Sequence, residues 1–127
     1  MMHSFDIIRS RLDSFGVALS GLCLTHCLLS ILIVSTLGIG SELFFAPAIH
    51  RFGLAIALVI AAIAIGWGVH RHRRVGPAII AITGLVLMGG ALAVPHGFQE
   101  AVLTVIGVAL VAVGHILNLR SHLPAAN

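Results

Sequence analysis

Polar and apolar positions along this chain separate into long blocks instead of alternating. Four apolar runs, at about 15–39, 50–69, 76–94 and 99–119, carry almost no charge. Each approaches the roughly 20 residues a helix needs to cross a bilayer. Charges gather at the borders: Arg9, Arg11 and Asp13 precede the first run, His70-Arg71-His72-Arg73-Arg74 closes the second, and Arg120 closes the fourth. Gly38-Ile39-Gly40-Ser41-Glu42, Pro47, Gly76-Pro77 and Pro95-His96-Gly97 punctuate the junctions, and proline suits the first turn of a helix. The pattern predicts an all-α integral membrane protein, a four-transmembrane-helix bundle forming a single domain over 1–127. Its short links make the second and third helices, and the third and fourth, antiparallel neighbours.

Composition agrees: 59% apolar residues, 9% charged residues and a mean hydropathy of +1.14 leave too little polar surface to cover a water-soluble globule. The expected partner is the lipid bilayer. The pI near 10.2 raises nucleic acid as an alternative. Against it, the net charge is only +3, lysine is absent, and the arginines sit at span ends; no nucleic acid partner is expected. With both termini cytoplasmic, Arg9, Arg11, Arg71, Arg73, Arg74 and Arg120 all lie inside and only Arg51 lies outside, which satisfies the positive-inside rule. Trp67 and Phe15 then lie near the inner boundary, and Phe44, Phe45, Phe52 and Phe98 near the outer one. The expected location is a bacterial-type inner (cytoplasmic) membrane, crossed several times. The first apolar run is too long for a cleaved signal peptide. Leu19-Ser20-Gly21 resembles the approach to a lipidated cysteine, but Leu22 stands where that cysteine belongs.

Candidate chemistry lies in the first run, at Cys23-Leu24-Thr25-His26-Cys27. Two thiols and an imidazole inside a membrane helix are costly and not required for packing. Steps of three and four place Gly16, Ser20, Cys23, Cys27 and Ser30 on one face, the small and polar kind of seam along which membrane helices approach. The cysteines are therefore expected to point into the bundle, and Cys23, His26 and Cys27 to span an arc of roughly 100°. Cβ atoms at this spacing lie about 5–6 Å apart, close to twice a metal–sulfur bond of about 2.3 Å. Thiolates with imidazole suit zinc, Cu(I) or heavier thiophilic ions and do not suit Mg or Ca. Taken singly, such a cysteine is a small hydrophobe; the combination on one polar face reads as a metal site.

Other polar residues fall at two depths. Glu42, His50, His96 and Glu100 lie near the outer span ends, and His70, His72 and His122 near the inner ends. Only His115 lies inside a second span, with Asn118 three residues on. Because side chains lean toward their own helix N-terminus, Cys23 and His115 are expected to converge at one depth. Candidate metal ligands are thus Cys23, His26, Cys27 and His115, with Glu42, His50, His96 and Glu100 at the outer mouth and His72 at the inner one.

The combination of Leu22-Cys23 and His26-Cys27-Leu28, Glu42 and His50, Gly68 followed by His72-Arg73-Arg74, Leu103-Thr104-Val105-Ile106-Gly107, and His115-Ile116-Leu117-Asn118-Leu119-Arg120 resembles the MerC-type membrane proteins of mercury resistance, over almost the whole chain. That resemblance implies a four-span carrier that moves a thiophilic divalent ion inward through the cysteine pair, matched here by Cys23 and Cys27. The chain departs from the family pattern in having no cysteine after Cys27, where mercury-resistance members typically carry a second pair, and in having Ser30 where proline would be unsurprising. A histidine-rich release side suits zinc or another borderline ion better than mercury. The expected ligand is therefore a transported divalent ion, mercury(II) or zinc, with no enzymatic activity and no organic cofactor.

Two other readings remain at this stage: a membrane haem protein with His26 and His115 as axial ligands, and a metal-sensing subunit without transport. Small-residue faces such as Gly107, Val111 and Gly114 pack helices within one chain or between two, and four short spans enclose little interior, which points toward a homodimer. The arginine distribution generates one prediction. Reporter fusions at Asn127 and after Phe98 are expected to show opposite sidedness, the former cytoplasmic. A C-terminus on the far side would overturn the orientation.

Overall fold

The computed structural model describes residues 2–38, 47–95 and 97–121. They form α1 (Met2–Leu37), α2 (Pro47–His72), α3 (Gly76–Ala91) and α4 (Phe98–Arg120), with no strand among the described residues. α1, α2 and α4 are long and apolar enough to cross a bilayer. α3 has 16 residues, about 24 Å at 1.5 Å per residue, somewhat short of a hydrocarbon core of about 30 Å.

The element ends have local causes. α1 starts well before the expected residue 15, because 2–15 contains neither glycine nor proline, and it stops at Gly38, whose φ of 65° is the left-handed conformation that closes helices. Pro47 opens α2, and Arg73, at φ 53°, ends it. α3 ends at Ala91 instead of continuing to 94. Its Gly89-Gly90 pair has poor helix propensity, and the Leu92 and Ala93 amides turn back to Gly89 and Gly90 at 3.2 and 3.0 Å. Gly97, at φ 150° and ψ −152°, takes a backbone conformation open essentially to glycine alone and turns the chain into α4.

α4 packs against the other three helices, most extensively α3 and then α1, whereas α1 and α3 make no direct backbone approach. The interior is built on small residues. Ala57, Ala61, Ala64, Ala81, Gly84, Gly107 and Gly114 are buried, which lets backbones come close where no hydrophobic effect drives helices together. Met88, Val108 and Val111 form one apolar cluster, with Cys23 and Leu24 packed on it. The outer surface is the reverse of a soluble protein's. Phe15, Leu22, Leu32, Phe52, Leu58, Val59, Ile79, Ile82 and Val86 are all more than half exposed, as lipid-facing side chains are.

A different expectation changes more. Arg9 and Asp13 had the look of flanking charges outside the first span, yet Arg9 is 3% and Asp13 0% exposed. Both continue the seam backwards, giving Arg9, Asp13, Gly16, Ser20, Cys23, Cys27 and Ser30 at alternating steps of four and three.

The tightest crossing lies between α3 and α4, where a Cβ on Gly84 would stand 2.5 Å from the Gly107 carbonyl oxygen and one on Gly107 2.7 Å from that of Gly84. Backbone cannot yield as a flexible side chain does. Gly107→Val is expected to destabilise the bundle by about 2–3 kcal/mol, read from unfolding in detergent, while Gly66→Val, at an open position, is expected to change little.

A polar seam with a thiol pair and a buried Asp–His–Asn network

The seam on α1 meets partners from α2 and α4 at three levels. At the Arg-rich end, Asp6 lies 3.7 Å from both Arg9 and Arg71, and Arg9 Nη2 donates to His72 Nε2 at 3.3 Å. His72 is therefore engaged with arginine in joining α2 to α1.

One turn deeper, Asp13 holds two residues of α4. His115 Nδ1 lies 2.8 Å from Asp13 Oδ1, and Asn118 Nδ2 donates to Asp13 Oδ2 at 2.7 Å and to the Ala64 carbonyl of α2 at 3.1 Å. His115 is 1% exposed and Asn118 3%. Two glycines make room for them. The His115 ring lies over Gly16, its Nε2 2.6 Å from where a Cβ would stand, and Asn118 Oδ1 fills the place of a Cβ on Gly68. A carboxylate this deep is tolerable only because polar groups meet it.

At the third level are the thiols. Cys27 is buried and Cys23 half-buried, both as free cysteines. Cys27 Sγ lies 3.9 Å from His50 Nε2, the His50 ring sits edge-on to His26 at 6.5 Å, and His50 Nδ1 lies 4.0 Å from Glu100 Oε1. Glu100 is itself buried, at 4% exposure. Cys23 faces α2 at Gly53, where a Cβ would stand 3.9 Å from its Sγ. Cys23, His26, Cys27, His50, Met88 and Thr104 are among the walls of a cleft of about 210 Å³. Among the described residues no three Cys, His, Asp or Glu side chains stand close enough to hold one ion together. The thiol pair with His50 beside it is the compact unit, and closing a fuller shell needs side-chain movement.

The predicted ligands thus separate. Cys23, His26, Cys27, His50 and Glu100 are brought to one level, while His115 and His72 belong to the two levels nearer the Arg-rich end. Glu42, His96 and His122 lie outside the described residues. His115 was expected beside Cys23, but it packs against Gly16, seven residues or about 10 Å lower along α1, because Asp13 draws its Nδ1 there. His26 is ten residues from Gly16, about 15 Å along the axis, so His26 and His115 do not face each other across a haem-sized slot. Asp13 escaped the sequence reading, although the four-and-three spacing runs through it. Thr104, another wall of the cleft, entered the sequence reading only as part of the Leu103–Gly107 motif.

A family model described as MerC mercury resistance protein matches residues 13–120. No curated protein matches the chain, and no solved structure does.

Removing the Asp13 carboxylate strands a His115 nitrogen and one Asn118 donor. Each buried polar group left without a partner costs about 1–3 kcal/mol. Asp13→Ala is therefore expected to lose about 3 kcal/mol or more in detergent unfolding, and Asp13→Asn, which keeps one acceptor, distinctly less. Equal loss in both variants would mean that the carboxylate holds neither partner.

Proposed function

The chain belongs to the MerC family of mercury resistance proteins, and on that premise we propose that it carries a thiophilic or borderline divalent ion, mercury(II) or zinc, inward across a bacterial inner membrane. The observation that carries the reading is the level of Cys23 and Cys27. Two thiols on the buried seam of α1 border a cleft that also contains His50, with Glu100 behind it.

In this mechanism the ion meets Glu100 and His50 near the outer ends of α4 and α2. Carboxylate and imidazole attract a cation without binding a soft one tightly. It then passes to Cys27, whose sulfur already lies beside His50 Nε2, and to Cys23, with His26 within reach of the same cleft. Both thiols shed protons as they ligate, so a divalent ion between two thiolates is formally neutral and can remain in a low-dielectric interior. An inside-negative potential of 100 mV contributes about 2.3 kcal/mol per charge, so about 4.6 kcal/mol for a divalent ion. That pull acts inward without an energy-coupling domain. The lipid bilayer is the working partner, and the ion is cargo.

The test is flux. Proteoliposomes holding the parent chain are expected to accumulate Hg(II) or Zn(II) under an inside-negative potential, and a Cys23→Ser, Cys27→Ser double variant to fall at least tenfold, to the protein-free rate. If the double variant accumulates both ions as fast as the parent, the pair serves packing alone and the carrier reading is wrong.

A further inference from the structure

Cys23 borders two cavities, and Cys27 only one of them. On one side Cys23 shares the 210 Å³ cleft with Cys27, His26 and His50. On the other it borders a small space of about 10 Å³ that Gly16, Ser20 and His115 also line, comparable to what one water needs. His115 stands over Gly16, about 10 Å along α1 from Cys23, so the two side chains must close toward each other to share an ion. His115 presents an unusual group there. Its ring is 1% exposed, and its Nε2 has no hydrogen-bond partner among the described residues, whereas Nδ1 is held by Asp13 Oδ1. In the neutral ring whose proton on Nδ1 points to that carboxylate, the lone pair lies on Nε2. Histidines held on one ring nitrogen by a carboxylate recur as metal ligands, because that second partner fixes the ring's orientation.

We propose that Cys23 and His115 Nε2 form a second ion-binding station on the cytoplasmic side of the cysteine pair, and that the ion reaches it by exchanging Cys27 for His115 while Cys23 stays bound. The proposal rests on the carrier reading above. In the exchange the metal–sulfur bond to Cys27 breaks, a metal–nitrogen bond to Nε2 forms, and the Cys27 thiolate regains a proton from the cleft; no oxidation state changes. Formal charge is conserved on the ion's side. Between Cys23 and Cys27 a divalent ion is balanced by two thiolates, and between Cys23 and His115 by one thiolate and the Asp13 carboxylate behind the ring. The ligand set, one sulfur and one nitrogen, suits a soft ion content with few ligands.

The purified full-length chain tests this with Hg(II) and Zn(II) as probes, by competition against a chelating dye and by X-ray absorption of the bound metal. His115→Asn is the informative variant, since its amide falls near the place of Nδ1 and keeps a donor toward Asp13 while removing the Nε2 ligand. In a Cys27→Ser background the metal is expected to show one sulfur and one imidazole nitrogen. Adding His115→Asn there should weaken binding at least tenfold and remove that nitrogen. In a Cys23→Ser background the same change should alter affinity less than twofold. An equal effect in both backgrounds, or no nitrogen neighbour in the Cys27→Ser chain by itself, overturns the second station even if the His115 variants fold poorly. If the parent binds neither ion, the carrier reading falls and the station with it; if the parent binds and the cycle shows no coupling, only the station falls.

Discussion

A carboxylate placed inside a bilayer must be answered by polar groups from within the protein, and in this chain the answer to Asp13 determines how the helices meet. Its two oxygens engage His115 and Asn118 of α4, and Asn118 also reaches the Ala64 carbonyl of α2. One side chain of α1 thereby ties α1 to α4 and, through Asn118, to α2. Lipid tails are as apolar as the helix surfaces, so nonspecific burial does little to choose a partner there. Directional bonds around a buried charge do choose one, and they set the rotation of α1 about its axis. The same rotation turns Cys23 and Cys27 inward.

Structure and reactivity therefore share a single face. From Arg9 to Cys27 the seam rises through eighteen residue steps, about 27 Å of helix, close to the thickness of a hydrocarbon core. Among the described residues, three of the four largest fully buried side chains are His115, Asp13 and Ser30. Apolar bulk lies outside, against lipid, and the polar groups lie along the axis. α4 completes the arrangement because it contacts every other helix and supplies both Glu100, beside His50, and His115, beside Asp13.

Much of this was legible along the chain. Four helices followed from four apolar runs, and the inward face of α1 from the spacing of Gly16, Ser20, Cys23, Cys27 and Ser30, because a helix has a fixed pitch and small residues mark close approach. Arg9 and Asp13 were misplaced for a physical reason: charges next to an apolar run ordinarily sit in the headgroup region, and only continuing the same spacing four and three residues back would have moved them inside. The level of His115 was also illegible. Helical lean predicted a meeting with Cys23, but the partner that fixes the ring is 102 residues away in sequence and belongs to a group assigned to the surface. The approach of His50 to Cys27 depends on how α1 and α2 pack, which no local pattern states. α3 ended early through a glycine pair that composition alone treats as ordinary packing material.

The glycines at 16 and 68 act as moulds. One is shaped to an imidazole from α4 and the other to a carboxamide from α4, so each hollow and the group that fills it form a matched pair across helices. A chain that acquires a side chain at position 16 loses the room for a histidine at 115, and one that enlarges position 68 displaces the amide at 118. Sequence change at these four positions is consequently coupled: a methyl group gained on one helix is compatible with the same bundle only when its counterpart on α4 shrinks, and the two pairs drift together or stay as they are.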